Sequence, residues 1–146
     1  MTAPDLPLAS MPGHLIRRVH QQAVAAFSAR TAGCGLTPVQ YAALRAIRER
    51  PGVDQVGVGR AIAYDKATVG EVLDRLQAKE LIVRIVDPRD RRARRLQLTA
   101  AGEALLKRIE PAVRQAQADL LEPLDAAEAE QLLALLARIA ARSPDE

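Results

Sequence analysis

Aromatic side chains are almost missing from this chain. Its 146 residues include two tyrosines, one phenylalanine and no tryptophan. A core must therefore be assembled from Leu, Ile, Val and Ala, which suits helix packing. The hydrophobic content of 49% is enough for one. Cysteine is equally scarce. The single thiol, Cys34, excludes an internal disulfide framework and a cysteine-based zinc site, and it fits a reducing cytosol. It sits between Gly33 and Gly35 with no lysine or histidine close by to activate it, so a redox role has no support. His14 and His20 share a helix face poorly, so they do not suggest a metal site. No apolar run approaches the roughly 20 residues of a membrane span. Met1–Gly13 lacks the basic-then-apolar order of a secretory leader. A P-loop, a dinucleotide fingerprint and a nucleophile elbow are also absent. These absences describe a cytoplasmic chain of one domain, with no cofactor and no catalytic machinery.

What is present is charge, unevenly placed. The net charge is only +3. Yet the stretch Arg84–Thr99, RIVDPRDRRARRLQLT, holds six arginines: Arg84, Arg89, Arg91, Arg92, Arg94 and Arg95. Acids gather instead near the other end, at Glu122, Asp125, Glu128 and Glu130. This asymmetry points to a polyanion-facing region rather than general solubility. Ile82, Val83, Ile85 and Val86 precede the basic run, and Leu96 and Leu98 follow it. Two short strands joined by a cationic, Pro-containing loop are expected.

Met1–Gly13 carries three prolines and reads as a loose arm. From His14 to about Thr31 a helix is expected, with Ile16, Val19, Ala23, Ala26 and Phe27 on one face. Thr37-Pro38 opens the next helix with a hydroxyl cap and Pro at the first position, and Tyr41, Leu44 and Ile47 follow at helical spacing. Asp54 caps a short helix to Ile62, with Val58 and Ile62 inward. Gly57 and Gly59 weaken it by roughly 1 kcal/mol each, so it must lean on tertiary packing. Asp65 caps the strongest helix, whose apolar stripe is Val69, Val72, Leu73 and Leu76. Thr99 caps a helix carrying Leu105, Leu106, Ile109 and Val113, with a kink expected near Arg108 because of Pro111. Asp125 to Glu128 is a capping box opening a last helix with Leu132, Leu133, Leu135, Leu136 and Ile139. A helix followed by a basic hairpin is the layout of a winged helix-turn-helix. The surplus apolar surface at both chain ends, with Leu120, Leu121 and Leu124, is best used in a dimer.

These residues carry a family resemblance. LTPVQYAALRAI (Leu36–Ile47), TVGEVLDRLQAKELIVR (Thr68–Arg84) and DPRDRRARRLQLTAAG (Asp87–Gly102) resemble the MarR family of winged-helix regulators. The last run is similar to that family's wing signature, an Asp-Arg-Arg core before a Leu-Thr-x-x-Gly helix start. The resemblance implies a mainly α fold with a small β-hairpin wing. Residues 36–102 would form the winged helix-turn-helix DNA-binding lobe. Residues 14–35 and 103–146 would be dimerisation helices, behind a flexible arm at 1–13. It implies a homodimer on a palindromic duplex operator, and no enzyme. Lys66, Ala67, Thr68 and Gly70 would face the major groove. Arg92 would enter the minor groove, and Asp90 would orient the wing through an ion pair with Arg75. Arg89, Arg91 and Arg94 would grip phosphates. Two departures stand out. Glu80 occupies the position of a usual glycine, where a left-handed residue would be strained and the turn would change. Gly59 replaces a usual alanine.

PGHLIRRVHQQ (Pro12–Gln22) followed by LTPVQYAAL resembles the branch of that family that represses aromatic-acid catabolism, nicotinic acid degradation included. This implies a repressor released by a small aromatic carboxylate or phenol. The pocket would lie between the first helix, the DNA-binding lobe and the dimer helices, lined by His14, Arg17, Arg18, Tyr41 and Tyr64. The contrasting expectation is a winged helix that binds DNA without sequence preference, or binds protein, and has no effector.

Overall fold

In the computed structural model, residues 5–142 are described. The chain runs as a short 3-10 turn (Leu8–Ser10), α1 (Pro12–Arg30), α2 (Pro38–Glu49), α3 (Gln55–Ile62), α4 (Lys66–Ala78), β1 (Ile82–Asp87), β2 (Asp90–Leu98), α5 (Ala100–Leu121) and α6 (Ala126–Ala140). The expected helices and hairpin are all present in the expected order. α1 starts two residues earlier than expected, because Pro12 takes its first helical position, where its fixed φ is already suitable; residues 1–4 of the expected arm lie outside the described residues.

Five helices start where a side chain can take up a free backbone N–H. Thr37, Asp54, Asp65, Thr99 and Asp125 each accept from the amide three residues on. Gln40 completes a capping box on Thr37. Gln40 is itself buried and accepts from Lys79 Nζ at 3.2 Å, which ties the end of α4 to the start of α2. α5 continues unbroken through Pro111.

One core runs through the lobe. Leu44, Ile47, Val58, Val69, Leu73, Leu76, Ile82, Leu96 and Leu106 are its fully buried members. Phe27 brings α1 to its edge and tilts against Tyr41, ring centroids 5.5 Å apart. Ile62 packs beside the core rather than within it. Because Leu105, Leu106 and Ile109 belong to this core, α5 is as much a part of the lobe as of any dimer interface. No structural break falls at residue 103.

The expected apolar face of α1 is only partly used: Phe27 is buried, while Ile16 and Val19 stand in solvent. α6 buries nothing, and Leu133, Leu135, Leu136 and Ile139 are all exposed. Arg30 holds Asp119 through Nε and Nη2 at 2.6 and 2.9 Å, fastening the end of α1 to α5.

Glu80 does take the left-handed conformation, at φ +59°. The turn keeps the geometry a glycine would give rather than changing. Neighbouring bonds hold it: Glu80 N–H donates to Gln77 O, and Thr99 Oγ1 donates to the Glu80 carbonyl at 2.6 Å. Just beyond, Gly102 lies against Leu81, and a Cβ there would overlap the Leu81 carbonyl oxygen. At Gly59 a Cβ would sit 3.5 Å from its nearest neighbours, ordinary contact. Gly102→Ala is therefore expected to destabilise by roughly 3 kcal/mol, about 10 °C in Tm, while Gly59→Ala is neutral or stabilising. Thermal unfolding followed by circular dichroism checks both, and equal melting temperatures would contradict the close approach.

Hydrogen bonds hold three carboxyls below their ordinary range. Thr68 does this for Asp65, the Arg89 amide and then Arg95 for Asp87, and Arg30 and then Gln115 for Asp119. A depressed folded-state pKa stabilises fully above the ordinary carboxylate value and is lost as pH falls through the depressed one. Acid unfolding is expected to set in below about pH 4, with a shallower pH dependence in Asp119→Asn. An unchanged slope in that variant would remove Asp119 from the account.

Candidate nucleic-acid interface

The wing is built from a hairpin whose two strands fall out of step at the tip. Val86 pairs with Arg94, yet the adjacent Asp87 pairs with Asp90. β2 thus advances four positions while β1 advances one, and Arg91, Arg92 and Ala93 bulge outward. The turn itself is only Pro88-Arg89, so the expected cationic loop is mostly an irregular strand. Of the apolar hairpin residues, Ile82 and Leu96 are buried, whereas Val83, Ile85 and Val86 are exposed.

The six arginines divide by partner. Arg84 Nη2 donates to Asp74 Oδ1 at 2.8 Å and Nη1 to Gln77, clamping β1 to α4. Arg95 Nε donates to Asp87 Oδ2 at 3.0 Å and Nη1 to the Gly52 carbonyl at 3.3 Å. The backbone reinforces that second clamp: Gly52 N–H donates to Leu96 O and Leu96 N–H to Val53 O, both at 2.9 Å. Arg89, Arg91, Arg92 and Arg94 are exposed and have no carboxylate partner among the described residues. These four are free to meet phosphate.

Asp90 does not pair with Arg75. Its Oδ1 accepts the Arg92 amide at 3.0 Å, a short-range turn bond that shapes the bulge. The carboxylate bracing the wing is Asp87, which is buried and also accepts the Arg89 amide at 2.9 Å. Both lie in the same Asp-Pro-Arg-Asp run. Cross-strand register, which the sequence does not display, decides which one braces.

On α4, Lys66, Ala67 and Arg75 are exposed, as a groove-facing role requires. Thr68 is half-buried, and its hydroxyl already donates to Asp65 Oδ1 at 2.6 Å. It keeps only acceptor capacity. Gly70 turns inward: a Cβ there would meet Gln55 Nε2 of α3 at 3.3 Å. Its smallness serves helix packing rather than the groove. α3, the start of α4, the wing and the end of α6 together enclose a cleft of about 1080 Å³. Lys66, Arg92 and Arg94 line it, joined by Tyr64 and by Arg60 and Arg142, which no local motif singled out.

The expected ligand residues do not converge within the protomer. Tyr41 lines a separate cleft between α2, α3 and α5, and Tyr64 lines the basic one. Arg17 and Arg18 are exposed and His14 half-buried on the first turns of α1. Among the described residues no group of three His, Cys, Asp or Glu side chains is placed to hold a metal, and no helix is long and apolar enough to cross a membrane.

A buried helical core, a helix capped by Asp65 and an arginine-tipped hairpin define a winged helix-turn-helix DNA-binding protein. Comparison with known proteins narrows this. A sequence profile described as the MarR family matches residues 35–93. The HTH-type transcriptional repressor NicR of Pseudomonas putida is 35% identical over 127 residues, covering 87% of this chain and 80% of that protein. The chain belongs to the MarR family. BpsR of Bordetella bronchiseptica, whose DNA binding is regulated by 6-hydroxynicotinic acid, superposes with a TM-score of 0.90 at 32% identity, covering 96% of this chain and all of that one. A transcriptional repressor CouR bound to a 23-mer DNA duplex superposes with a TM-score of 0.85 at 29% identity, over 94% of this chain and 99% of that one.

Asp87→Ala separates positioning from charge. Removing an acid beside four arginines raises the positive potential, which alone would strengthen DNA binding. Loss of the brace is expected to outweigh this and weaken binding on the order of tenfold, since it frees the bulge that aims Arg92. Fluorescence anisotropy at fixed salt reads the sign, and tighter binding would refute the bracing role.

Proposed function

We propose that the chain is a homodimeric, ligand-responsive transcriptional regulator, a cytoplasmic repressor that leaves a palindromic operator when a small aromatic acid or phenol binds. The observation that carries this reading is the bulged wing. It holds four arginines without carboxylate partners beside the exposed start of α4, on a hairpin clamped at Arg84 and Arg95. Lys66 and Ala67 meet base edges or phosphates in the major groove. Arg92 enters the narrow minor groove, where it reads width rather than base identity. Arg75, Arg89, Arg91 and Arg94 grip backbone. Thr68 contributes an acceptor, while Asp90 and Gly70 act through shape.

The exposed apolar residues of α1 and α6 are the dimer surface in this reading. A two-fold pair places recognition helices about 34–36 Å apart, in successive major grooves. The aromatic-acid effector follows from the relatives: BpsR responds to 6-hydroxynicotinic acid, and NicR is a repressor. Tyr41 is retained as a pocket residue. His14, Arg17 and Arg18, beside Ile16 and Val19, reach a pocket only across the dimer seam. Tyr64 belongs with the DNA-facing cleft.

Gel shift on the chain's own upstream region against random duplex tests the specific role, and equal affinity for the two would sink it in favour of non-specific binding. Arg92→Ala is expected to lower operator affinity on the order of tenfold to a hundredfold, with the dimer intact by light scattering. Operator binding unchanged in that variant would remove Arg92 from the minor groove.

A further inference from the structure

The basic cleft between α4 and the wing carries more cations than the recognition helix and the hairpin supply. Lys66 lines it from the start of α4, and Arg92 and Arg94 line it from β2. Two guanidiniums come from elsewhere: Arg60 in the last turn of α3, and Arg142 just past the end of α6. Both are exposed, and neither has a carboxylate partner among the described residues. The one carboxylate lining the cleft among those residues is Asp54. It is occupied in capping α3, where it accepts the Gly57 amide at 2.8 Å. Cations from four elements therefore converge on one cleft with little beside them to neutralise them.

In a duplex, one sugar–phosphate strand divides a major groove from the minor groove beside it. A protein with one element in each groove must straddle that strand. The proposed function places the start of α4 in the major groove and Arg92 in the minor groove. The gap between those two elements is this cleft, since Lys66 lines it on one side and Arg92 on the other. We propose that the dividing strand seats in the cleft, and that Arg60 and Arg142 grip its phosphates from α3 and from the end of α6. The inference rests on the reading of the chain as a regulator that binds duplex DNA. A guanidinium suits this task, because its forked N–H groups can engage two phosphate oxygens together and it stays charged. Tyr64, in the turn between α3 and α4, can donate its phenol O–H to a further phosphate oxygen. Val56 and Ala93 line the cleft with apolar surface for the sugar carbons. None of these contacts reads a base, so they add affinity and fix position without adding sequence preference.

α6 reaches the cleft only at its C-terminal end, through Ala140 and Arg142. Its Leu133, Leu136 and Ile139 are exposed, and the proposed function assigns them to the dimer surface. One helix thus holds the partner along its length and the DNA strand at its tip. A dimer rearrangement that swings α6 also draws Arg142 away from the phosphates. Dimer geometry and DNA grip are coupled through this helix as well as through the spacing of the recognition helices.

The test is a salt titration of DNA affinity by fluorescence anisotropy, using the full chain. Two duplexes serve as probes, one from the chain's own upstream region and one of random sequence. Each phosphate held adds roughly 0.9 to the slope of log affinity against log salt concentration. Arg60→Gln and Arg142→Gln are each expected to lower that slope by about one. Affinity at about 0.1 M salt falls on the order of tenfold for each, and the ratio between the two duplexes stays within about twofold. Arg138→Gln is the control. It removes the same charge from the same helix, from an exposed side chain outside the cleft, and the slope is expected to stay. An equal fall in slope for Arg138→Gln would reduce the effect to overall charge and overturn the Arg142 contact. An unchanged slope in Arg60→Gln or Arg142→Gln would overturn the seating of the strand. Light scattering is expected to show an intact Arg142→Gln dimer, and its dissociation would move Arg142 to the dimer surface instead. If the wild type holds both duplexes equally, the specific regulator falls, while the slopes still decide the cleft. If it holds neither, both readings fall.

Discussion

Gly102 lies against the Leu81 carbonyl more closely than any other described glycine approaches a neighbouring backbone, and the geometry of the DNA-facing lobe depends on it. Four elements meet there: the end of α4, the start of β1, the end of β2 and the first turn of α5. Leu81 N–H closes onto Leu76 O, Thr99 N–H onto Leu81 O, and Thr99 Oγ1 onto Glu80 O. One residue, Thr99, therefore caps α5, pairs with the segment that leaves α4 and steadies the strained Glu80. The recognition helix, the wing and the helix leading to the dimer surface leave this junction in fixed directions. The left-handed turn at Glu80 persists without glycine because its neighbours determine it from both sides.

Two clamps then extend that rigidity to the wing. Arg84 joins β1 to α4, and Arg95 with Asp87 joins β2 and the tip turn to the loop after α2. Each pair keeps one partner largely in water, Arg95 in one and Asp74 in the other, so screening limits what it adds to stability. Their effect is geometric. They limit the angle between the wing and α4, the two elements that the proposed function places in the minor and major grooves. The hairpin needs this help because Val83, Ile85 and Val86 stay exposed and add little buried apolar surface to it.

How much of this was legible in the sequence follows from the range of each interaction. The caps at Thr37, Asp54, Asp65, Thr99 and Asp125 were readable because acceptor and donor lie three residues apart. The stripe Val69, Val72, Leu73, Leu76 was readable because one helical period decides it, and all four are buried. The arginine-rich wing was readable from composition. Its bracing was not: choosing Asp87 over Asp90 depends on a bulge that shifts register by three residues. Gly70 likewise reads as an open groove position until α3 is seen behind it. The ligand residues were least legible. Tyr41 and Tyr64 lie in different clefts, and the arginines beside Tyr41 belong to helices more than sixty positions apart.

That distance also bears on how little net charge the chain needs. A surplus of +3 is slight for a DNA-binding protein, but net charge is not what duplex DNA meets. Asp74 and Asp87 neutralise Arg84 and Arg95 on the inner side of the wing, where those guanidiniums act as struts. Arg89, Arg91, Arg92 and Arg94 remain uncompensated on the outer side. Glu110 and Glu49 do the same for Arg114 and Arg45 in the lateral cleft. Carboxylates therefore sort the arginines into two kinds. On the wing, those with a partner set angles between elements, and those without one are the ones the proposed function places on phosphate. Counterion release depends only on the second kind. Substitutions among the first kind should change how well DNA fits with little change in salt dependence, and substitutions among the second should change the salt dependence itself.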